Sequence, residues 1–230
     1  MSTYPLPAPE RRSGPAVPPR KEAGMGHSVT IDDLCFQRFT QSSFLIKSPD
    51  VVIYVDPHQI DAGEKADLIL VTHEHFDHLD PATIAALRKD DTVIVANASC
   101  AQRLEDQGRV VALEEGQTAS EKGVDIRAVP GYNDHHPRGF NVGFVFKVAG
   151  KTVYHAGDTS RVPEMAELGS IDVALVPIGG TYTMNEEAAA ALVRDLKPKV
   201  AIPMHYGYAT GGDPKRFATL VGDAAQVIIL

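Results

Sequence analysis

The sequence has little cysteine and no long apolar run, and each shortage excludes a class of protein. Only two of its 230 residues are cysteine, Cys35 and Cys100, and neither belongs to a C-x-x-C pair. Two cysteines are too few for a disulfide framework, so we interpret both as buried thiols of a cytoplasmic protein, with a single disulfide between them as the open alternative. No apolar segment approaches the roughly 18 residues of a membrane span, and no secretory signal is visible.

Basic residues are also fewer than acidic ones. The chain has 30 acidic residues against 22 basic ones, a net charge of −8 at pH 7, whereas a general nucleic-acid binder needs a basic face. We therefore expect neither a nucleic-acid nor a membrane partner. The oligomeric state stays open. Neither a glycine-rich phosphate loop nor a Ser-His-Asp or Cys-His nucleophile pattern is visible, so no such chemistry competes with the motif described below.

The first 27 residues differ in composition from the rest of the chain. They contain four basic and two acidic residues and very few large apolar ones. Their six prolines are Pro5, Pro7, Pro9, Pro15, Pro18 and Pro19. Such a stretch cannot bury enough apolar surface to offset the entropy lost on ordering, so we predict a disordered tail over residues 1–27 and a folded domain over residues 28–230. A proline-rich docking segment and a start at Met25 are the alternatives.

The most informative motif is H-E-H-F-D-H at residues 73–78, which directly follows an apolar run at residues 68–72. The run reads as a buried strand. Neutral imidazole and ionised carboxylate are ligands that zinc, manganese and iron accept. Three imidazoles and a carboxylate placed this close together are costly to hold without a cation. The motif therefore predicts a metal site at the end of a strand.

Short β-branched runs alternate with a few helical segments along the rest of the chain. Strands are predicted at residues 29–38, 43–46, 51–55, 67–72, 93–96, 110–113, 124–129, 143–148, 152–155, 173–177 and 200–204. Helices are predicted at residues 81–89, 99–107, 186–196 and 214–223. Asp80 is the expected N-cap of the first helix, and Pro81 fits its first position. The pattern alone indicates a mixed α and β protein rich in sheet.

Later segments make the chain resemble the metallo-β-lactamase-fold hydrolases. Residues 155–159 (H-A-G-D-T) resemble the segment that carries the bridging aspartate, and residues 202–206 (I-P-M-H-Y) resemble the one with the last histidine ligand. Residues 55–57 (V-D-P) resemble the strand end whose aspartate supports the site. The resemblance covers residues 28–230 and is closest to the small single-domain branch that includes ascorbate-6-phosphate lactonases. It implies an α+β fold, an αβ/βα sandwich of two mixed β-sheets flanked by helices.

The same resemblance implies a binuclear site for two divalent metal ions, zinc first, with manganese or iron as alternatives. The implied ligands are His73, His75, Asp77, His78, His136, Asp158 and His205. The first two histidines and His136 would hold one ion, Asp158 would bridge the pair, and the remaining ligands would hold the other ion. Asp56 would support a ligating histidine from behind, since such histidines usually give their second N–H to a carboxylate. His155 is interpreted as structural.

The third ligand of the first ion is the least regular position. Many relatives have a histidine soon after a strand that ends in Val-Pro, but here that position is Asn133. His135 and His136 lie just beyond it. We favour His136 because His-Pro-Arg-Gly at residues 136–139 resembles a variant of this branch. Candidate substrate-binding residues near these ligands are Asn133, Arg138, Tyr182 and Tyr206.

By resemblance the chain is a metal-dependent hydrolase. A hydroxide held between the two ions would attack a small-molecule substrate of the ester, lactone or phosphodiester type, with Asp77 and Asp158 as catalytic carboxylates. One alternative is an iron-dependent oxygenase or redox enzyme of the same fold, although the di-iron flavoprotein branch carries a glutamate where this chain has His75. The other alternative is a metal-binding regulatory protein without turnover.

The composition change predicts that the tail is dispensable. Deletion of residues 1–24 should leave both the unfolding midpoint and the bound metal unchanged, because these residues bury little apolar surface. Thermal unfolding and metal analysis of the shortened chain, beside the full chain, check this. Loss of folding on deletion would contradict the predicted boundary.

Overall fold

Two seven-stranded β-sheets form the framework of the computed structural model, which describes residues 27–230. The predicted tail at residues 1–27 lies outside the described residues, except for its last residue. In spatial order the first sheet contains β1 (Ser28–Ile31), β2 (Leu34–Arg38), β3 (Phe44–Lys47), β4 (Val52–Val55), β5 (Ala66–Val71), β6 (Arg88–Ala96) and β7 (Arg109–Ala112). Each strand pairs with the next along the chain, so the sheet is built without a crossover between distant strands.

The second sheet repeats this plan in the second half of the chain. It contains β8 (Thr118–Glu121), β9 (Val124–Gly131), β10 (Asn141–Val148), β11 (Lys151–His155), β12 (Val173–Pro177), β13 (Val200–Met204) and β14 (Gln226–Val227). In both sheets the first four strands pair antiparallel and the last four pair parallel. The carboxyl ends of parallel strands share one edge of a sheet, where ligands usually bind in mixed α and β folds.

In the described part of the chain four α-helices accompany the strands: α1 (Pro81–Leu87), α2 (Ala98–Arg103), α3 (Glu186–Leu196) and α4 (Pro214–Val221). Each begins after an Asp or Asn whose side chain accepts a hydrogen bond from a backbone N–H of the first turn. Such a cap satisfies one of the four N–H groups that a helix start leaves open. Among the described residues, no helix is long and apolar enough to cross a membrane.

The core lies on both faces of the first sheet. Along β5, Leu68 and Leu70 belong to the large apolar cluster shared with the second sheet, while Ile69 and Val71 belong to a smaller cluster that includes Ile84 and Leu87 of α1. Alternate side chains of a strand point to opposite faces, so a strand covered on both faces reads as a continuous apolar run. This explains the apolar segment before the histidine motif.

The sandwich of two mixed sheets with flanking helices confirms the fold class expected from the sequence. Two short strands were not predicted, β8 and β14. β8 has the sequence T-A-S-E and β14 has two residues, and both lie at an edge of the second sheet. An edge strand with polar residues lacks the apolar alternation on which strand prediction depends. The predicted helix at residues 99–107 divides into α2 and a separate 3₁₀ turn over Glu105–Gln107.

The cap of α1 gives a stability prediction. Asp80 Oδ1 accepts a hydrogen bond from Thr83 N at 3.1 Å, and Oδ2 accepts one from Thr83 Oγ1 at 2.8 Å. Asp80→Ala should lower the free energy of unfolding by about 1 kcal/mol, because the cap is lost. Asp80→Asn is the matched control, since its amide oxygen can still accept and most of the stability should remain. Urea unfolding measures both, and equal loss in the two variants would contradict the capping explanation.

Candidate metal centre

All seven predicted ligands meet where the parallel strands of the two sheets end. The motif at residues 73–78 follows β5, Asp158 follows β11 and His205 follows β13. His136 lies in the segment between β9 and β10. The ligands therefore come from both halves of the chain, and the two sheets must be in place before the group exists.

Three histidines form the first group. His75 Nδ1 lies 3.2 Å from His73 Nε2 and 3.2 Å from His136 Nε2. The side chains of His73 and His136 are fully buried, while His75 is exposed. One nitrogen from each of the three rings lies within 4.8 Å of the others. Three imidazole nitrogens converging in this way match a metal site that leaves a further position open.

Asp77, His78 and His205 form the second group. Asp77 Oδ2 lies 3.8 Å from His78 Nε2 and 3.8 Å from His205 Nε2. The three ligand atoms again lie within 4.8 Å of one another. Both histidines are buried, so little water reaches their ring nitrogens.

The carboxylate of Asp158 lies between the two groups. Its Oδ2 is 3.0 Å from His205 Nε2, 3.7 Å from His136 Nε2 and 4.0 Å from His73 Nε2. Its Oδ1 is 3.4 Å from His78 Nε2. One buried carboxylate thus faces histidines of both groups, which a single imidazole could not do.

The residues present fit divalent cations. His78 Nε2 and Asp158 Oδ1 are buried, and neither has a hydrogen-bond partner among residues 27–230. Buried polar atoms without partners are rare, and each calls for an explanation such as an ion. Imidazole and carboxylate are ligands that zinc, manganese and iron accept. A cation in each group would satisfy these atoms and relieve the crowding of the imidazoles.

Burial and neighbouring histidines keep the first group ready to coordinate. Burial, with the positive potential of His78, holds the pKa of His73 well below its ordinary value. Burial, together with His75 and His78, lowers the pKa of His136 to about 4, against an opposing effect of Asp158. Both rings are therefore neutral near pH 7, which is the form that binds a cation.

In the second group the pKa of a histidine is raised, whereas in the first group the pKa of two histidines is lowered. Burial alone would lower the pKa of His78, but Asp158 and Asp56 outweigh it and hold that pKa well above the ordinary value. Burial alone would raise the pKa of Asp158, but His78 and His205 hold it well below the ordinary value. Without a cation, a proton on His78 balances the buried carboxylate. A cation bound here would take over that role and release the proton.

Asp56 lies directly behind the candidate ligands. It follows β4, is fully buried, and its Oδ2 lies 2.7 Å from His78 Nδ1. The same carboxylate accepts hydrogen bonds from the N–H of Thr72 at 2.8 Å and from its hydroxyl at 2.7 Å. The hydroxyl of Thr72 also lies 3.0 Å from His73 Nδ1. This network orients two candidate ligands from the neighbouring ends of β4 and β5.

Asn133 supports the turn that carries His136. Its Oδ1 accepts hydrogen bonds from His135 N at 2.8 Å and His136 N at 2.9 Å, and lies 3.0 Å from His136 Nδ1. Its Nδ2 donates to Tyr182 O at 2.8 Å. The amide is thus engaged with the scaffold. His135 points away from the first group and lies against the ring of Tyr182, with ring centroids 5.0 Å apart.

Two other predicted substrate contacts are also engaged with the scaffold. Arg138 pairs with Glu164 at 2.7 Å and with Glu115. Tyr206 donates its hydroxyl to Leu230 O at 2.9 Å, and the Arg38 guanidinium lies 3.9 Å above its ring. Their substrate-binding roles stay predictions. Tyr182, by contrast, exposes 47% of its surface.

Sequence reasoning missed Gln41, which lies in the turn between β2 and β3. Its Nε2 is 3.3 Å from Asp77 Oδ2 and 3.4 Å from His205 Nε2. Thr72 was missed as well. The segment T-Q-S-S at residues 40–43 resembles an ordinary polar turn, and nothing local to it indicates contact with residues so distant along the chain.

Comparison with known proteins places these observations in a family. The family model described as the beta-lactamase superfamily domain matches residues 36–205. A protein from Thermococcus kodakarensis named a UPF0173 metal-dependent hydrolase is 40% identical over 189 residues, covering 76% of this chain and 82% of its own.

Solved structures agree with that assignment. The crystal structure of a candidate metal-dependent hydrolase from Parabacteroides distasonis superposes with a TM-score of 0.79 at 35% identity, covering 89% of this chain and 97% of the other. A metallo hydrolase from Ignicoccus hospitalis superposes with a TM-score of 0.75 at 28% identity, covering 86% and 94%.

The two adjacent histidines provide a matched pair of variants. His136→Ala should lower cation affinity by at least ~100-fold, because loss of even an outer hydrogen-bond partner costs about 10–100-fold. His135→Ala should keep the affinity, since this ring lies outside the group. Metal content after dialysis and titration of the metal-free protein measure both. Retention of full metal by His136→Ala, with loss in His135→Ala, would show that the ligand was assigned to the wrong histidine.

Proposed function

The chain belongs to the metallo-β-lactamase superfamily of metal-dependent hydrolases, and we propose that it hydrolyses an ester, lactone or phosphodiester bond of a small molecule with two divalent cations. Zinc is the cation expected first, with manganese or iron as alternatives that suit the same ligands. The cytoplasm is the proposed location. The relatives named above give the class of reaction, and the substrate bond and the number of cations are proposals.

One observation carries the binuclear proposal, namely that Asp158 faces both groups. The carboxylate lies within 4.0 Å of His73 and 3.0 Å of His205, which belong to different groups. A carboxylate has two oxygens with several lone pairs and can serve two cations at once. His73, His75 and His136 would hold the first cation, Asp77, His78 and His205 the second, and Asp158 would bridge them.

Two such cations supply an activated water as nucleophile and stabilise the negative charge that develops on the substrate. The residues of the chain supply positioning and proton transfer. Asp56 and Thr72 hold the rings of His78 and His73 in fixed orientations. Asp77 Oδ2 faces the imidazoles, so Oδ1 of the same carboxylate is the atom proposed to carry the proton to the leaving group.

Exposed aromatic side chains favour a substrate with an apolar portion. Phe76, between two candidate ligands, exposes 68% of its surface, and Tyr208, three residues after His205, exposes 37%. Their rings flank that of His58, with centroids 5.9 and 6.4 Å from it. Large exposed aromatic groups next to a site are typical of ligand-binding surfaces.

The bridging role of Asp158 gives a direct test. Asp158→Asn should lower turnover by at least ~100-fold while the protein stays folded, because the amide cannot bridge two cations. Even the loss of an outer hydrogen-bond partner of a metal site lowers activity by about 10–100-fold. A panel of esters, lactones and phosphodiesters, assayed with metal-reconstituted protein, identifies the substrate for this measurement. Asp195→Asn is the matched control, since this aspartate pairs with Arg161 on the surface.

Removal of metal completes the experiment. A chelator should abolish hydrolysis, and added zinc or manganese should restore it. Hydrolysis that continues unchanged in protein shown by metal analysis to be metal-free would rule out the proposal, whichever substrate is used.

A further inference from the structure

We propose that Gln41 is a positioning residue of the second group: its side-chain amide donates to Asp77 and so determines how tightly this group retains its cation. The inference rests on the proposed function in one respect, that the group binds a cation. It goes further by assigning a role to a residue of the turn between β2 and β3, which has no candidate ligand of its own.

The amide of Gln41 faces the same space as the ligand atoms. Nε2 lies 3.3 Å from Asp77 Oδ2 and 3.4 Å from His205 Nε2, the two atoms that also face each other across the group. A histidine nitrogen that coordinates a cation has no lone pair left to accept a hydrogen bond. When a cation is bound, Gln41 Nε2 can therefore donate only to the carboxylate of Asp77. A hydrogen bond to a charged acceptor of this kind is among the stronger ones.

The burial of the Gln41 amide indicates a role other than packing. Gln41 is 1% exposed, and its Oε1 has no hydrogen-bond partner among the described residues. An unsatisfied buried polar atom costs about 1–3 kcal/mol. A residue of this polarity has no advantage for packing alone, because an apolar side chain of the same length would avoid that cost.

The turn is also fixed in a conformation that glutamine rarely adopts. Gln41 has φ +47°, in the left-handed region, which is uncommon for a residue other than glycine, asparagine or aspartate. Its carbonyl oxygen accepts hydrogen bonds from His205 N at 2.9 Å and from Arg38 Nε at 3.2 Å. The next carbonyl, of Ser42, lies 2.9 Å from His155 Nε2. Strained backbone held by several partners is found at functional sites.

These contacts connect Gln41 to both ends of the group. Its backbone binds the backbone of His205, and its side chain binds the carboxylate of Asp77. Asp77 and His205 come from different sheets, so Gln41 fixes their separation. Loss of the amide would free the Asp77 carboxylate to rotate. Removal of a hydrogen-bond partner of a metal ligand typically lowers the metal affinity by about 10–100-fold.

The variant Gln41→Asn separates positioning from folding. Asparagine keeps the amide and tolerates the left-handed conformation better than glutamine, but it is one methylene shorter and cannot reach Asp77. The metal-free variant should therefore still fold, because the easier backbone conformation offsets part of the cost of the shorter side chain. Gln41→Met keeps the length and lacks the donor, and Ser42→Ala is the control from the same turn, whose buried hydroxyl has no recorded partner in the described part of the chain.

Zinc titration of the metal-free proteins, with cobalt spectra to distinguish the two sites, is the measurement. Wild type and Ser42→Ala should bind two cations per chain with equal affinity. Gln41→Asn and Gln41→Met should bind the first cation normally and the second about 10–100-fold more weakly, with a changed cobalt spectrum for that site alone.

Two results would overturn the inference, and they differ from each other. If the wild type binds two cations and Gln41→Asn retains the second as tightly, Gln41 has no positioning role and the proposed function stands. If the wild type itself binds fewer than two cations, the binuclear proposal fails and this inference fails with it.

Discussion

The arrangement of the site depends on one buried negative charge, the carboxylate of Asp158. Only 2% of this residue is exposed, so the charge is stable only with positive partners nearby. Burial alone would raise the pKa of this carboxyl group, but His78 and His205, which face its Oδ1 and Oδ2, hold that pKa well below the ordinary value. A proton on His78 or a cation can supply the compensation. A cation bound beside Asp158 would replace the proton of His78 in this role.

The position of this charge follows from the repeated topology. In each sheet the chain changes from antiparallel to parallel pairing, and the two sets of parallel strand ends meet at one edge of the sandwich. Hydrogen bonds cross between the halves there: Val142 N donates to Thr72 O, and His205 N donates to Gln41 O. The apolar cluster shared by both sheets sets their separation, and these polar contacts fix their alignment to the fraction of an ångström that a metal site needs.

The strands and the candidate ligands could be predicted from the sequence to different degrees. The inner parallel strands β4, β5, β12 and β13 were visible because both of their faces are buried, whereas the edge strands β8 and β14 lack that signal. The histidine motif was visible because four ligands lie within six residues. His136 was inferred only by resemblance, since Asn133 occupies the usual position. Gln41 was invisible, because its partners lie 36 and 164 residues away and a glutamine in a turn has no signature of its own.

The backbone conformations show where the fold accepts strain. Among residues 27–230, eight residues other than glycine have positive φ: Asp32, Gln41, Asp56, Gln59, Lys122, Ala149, Lys197 and His205. Asp32, Lys122 and Ala149 lie in short turns between consecutive antiparallel strands, where such angles match the twist of the sheet. Gln41, Asp56 and His205 are instead buried, and each is in contact with a candidate ligand or is one. Strain of about 1–3 kcal/mol per residue persists only where surrounding contacts determine the conformation. The scaffold therefore accepts a cost in stability to orient these three side chains, two of them directly after a strand and Gln41 in the turn between β2 and β3.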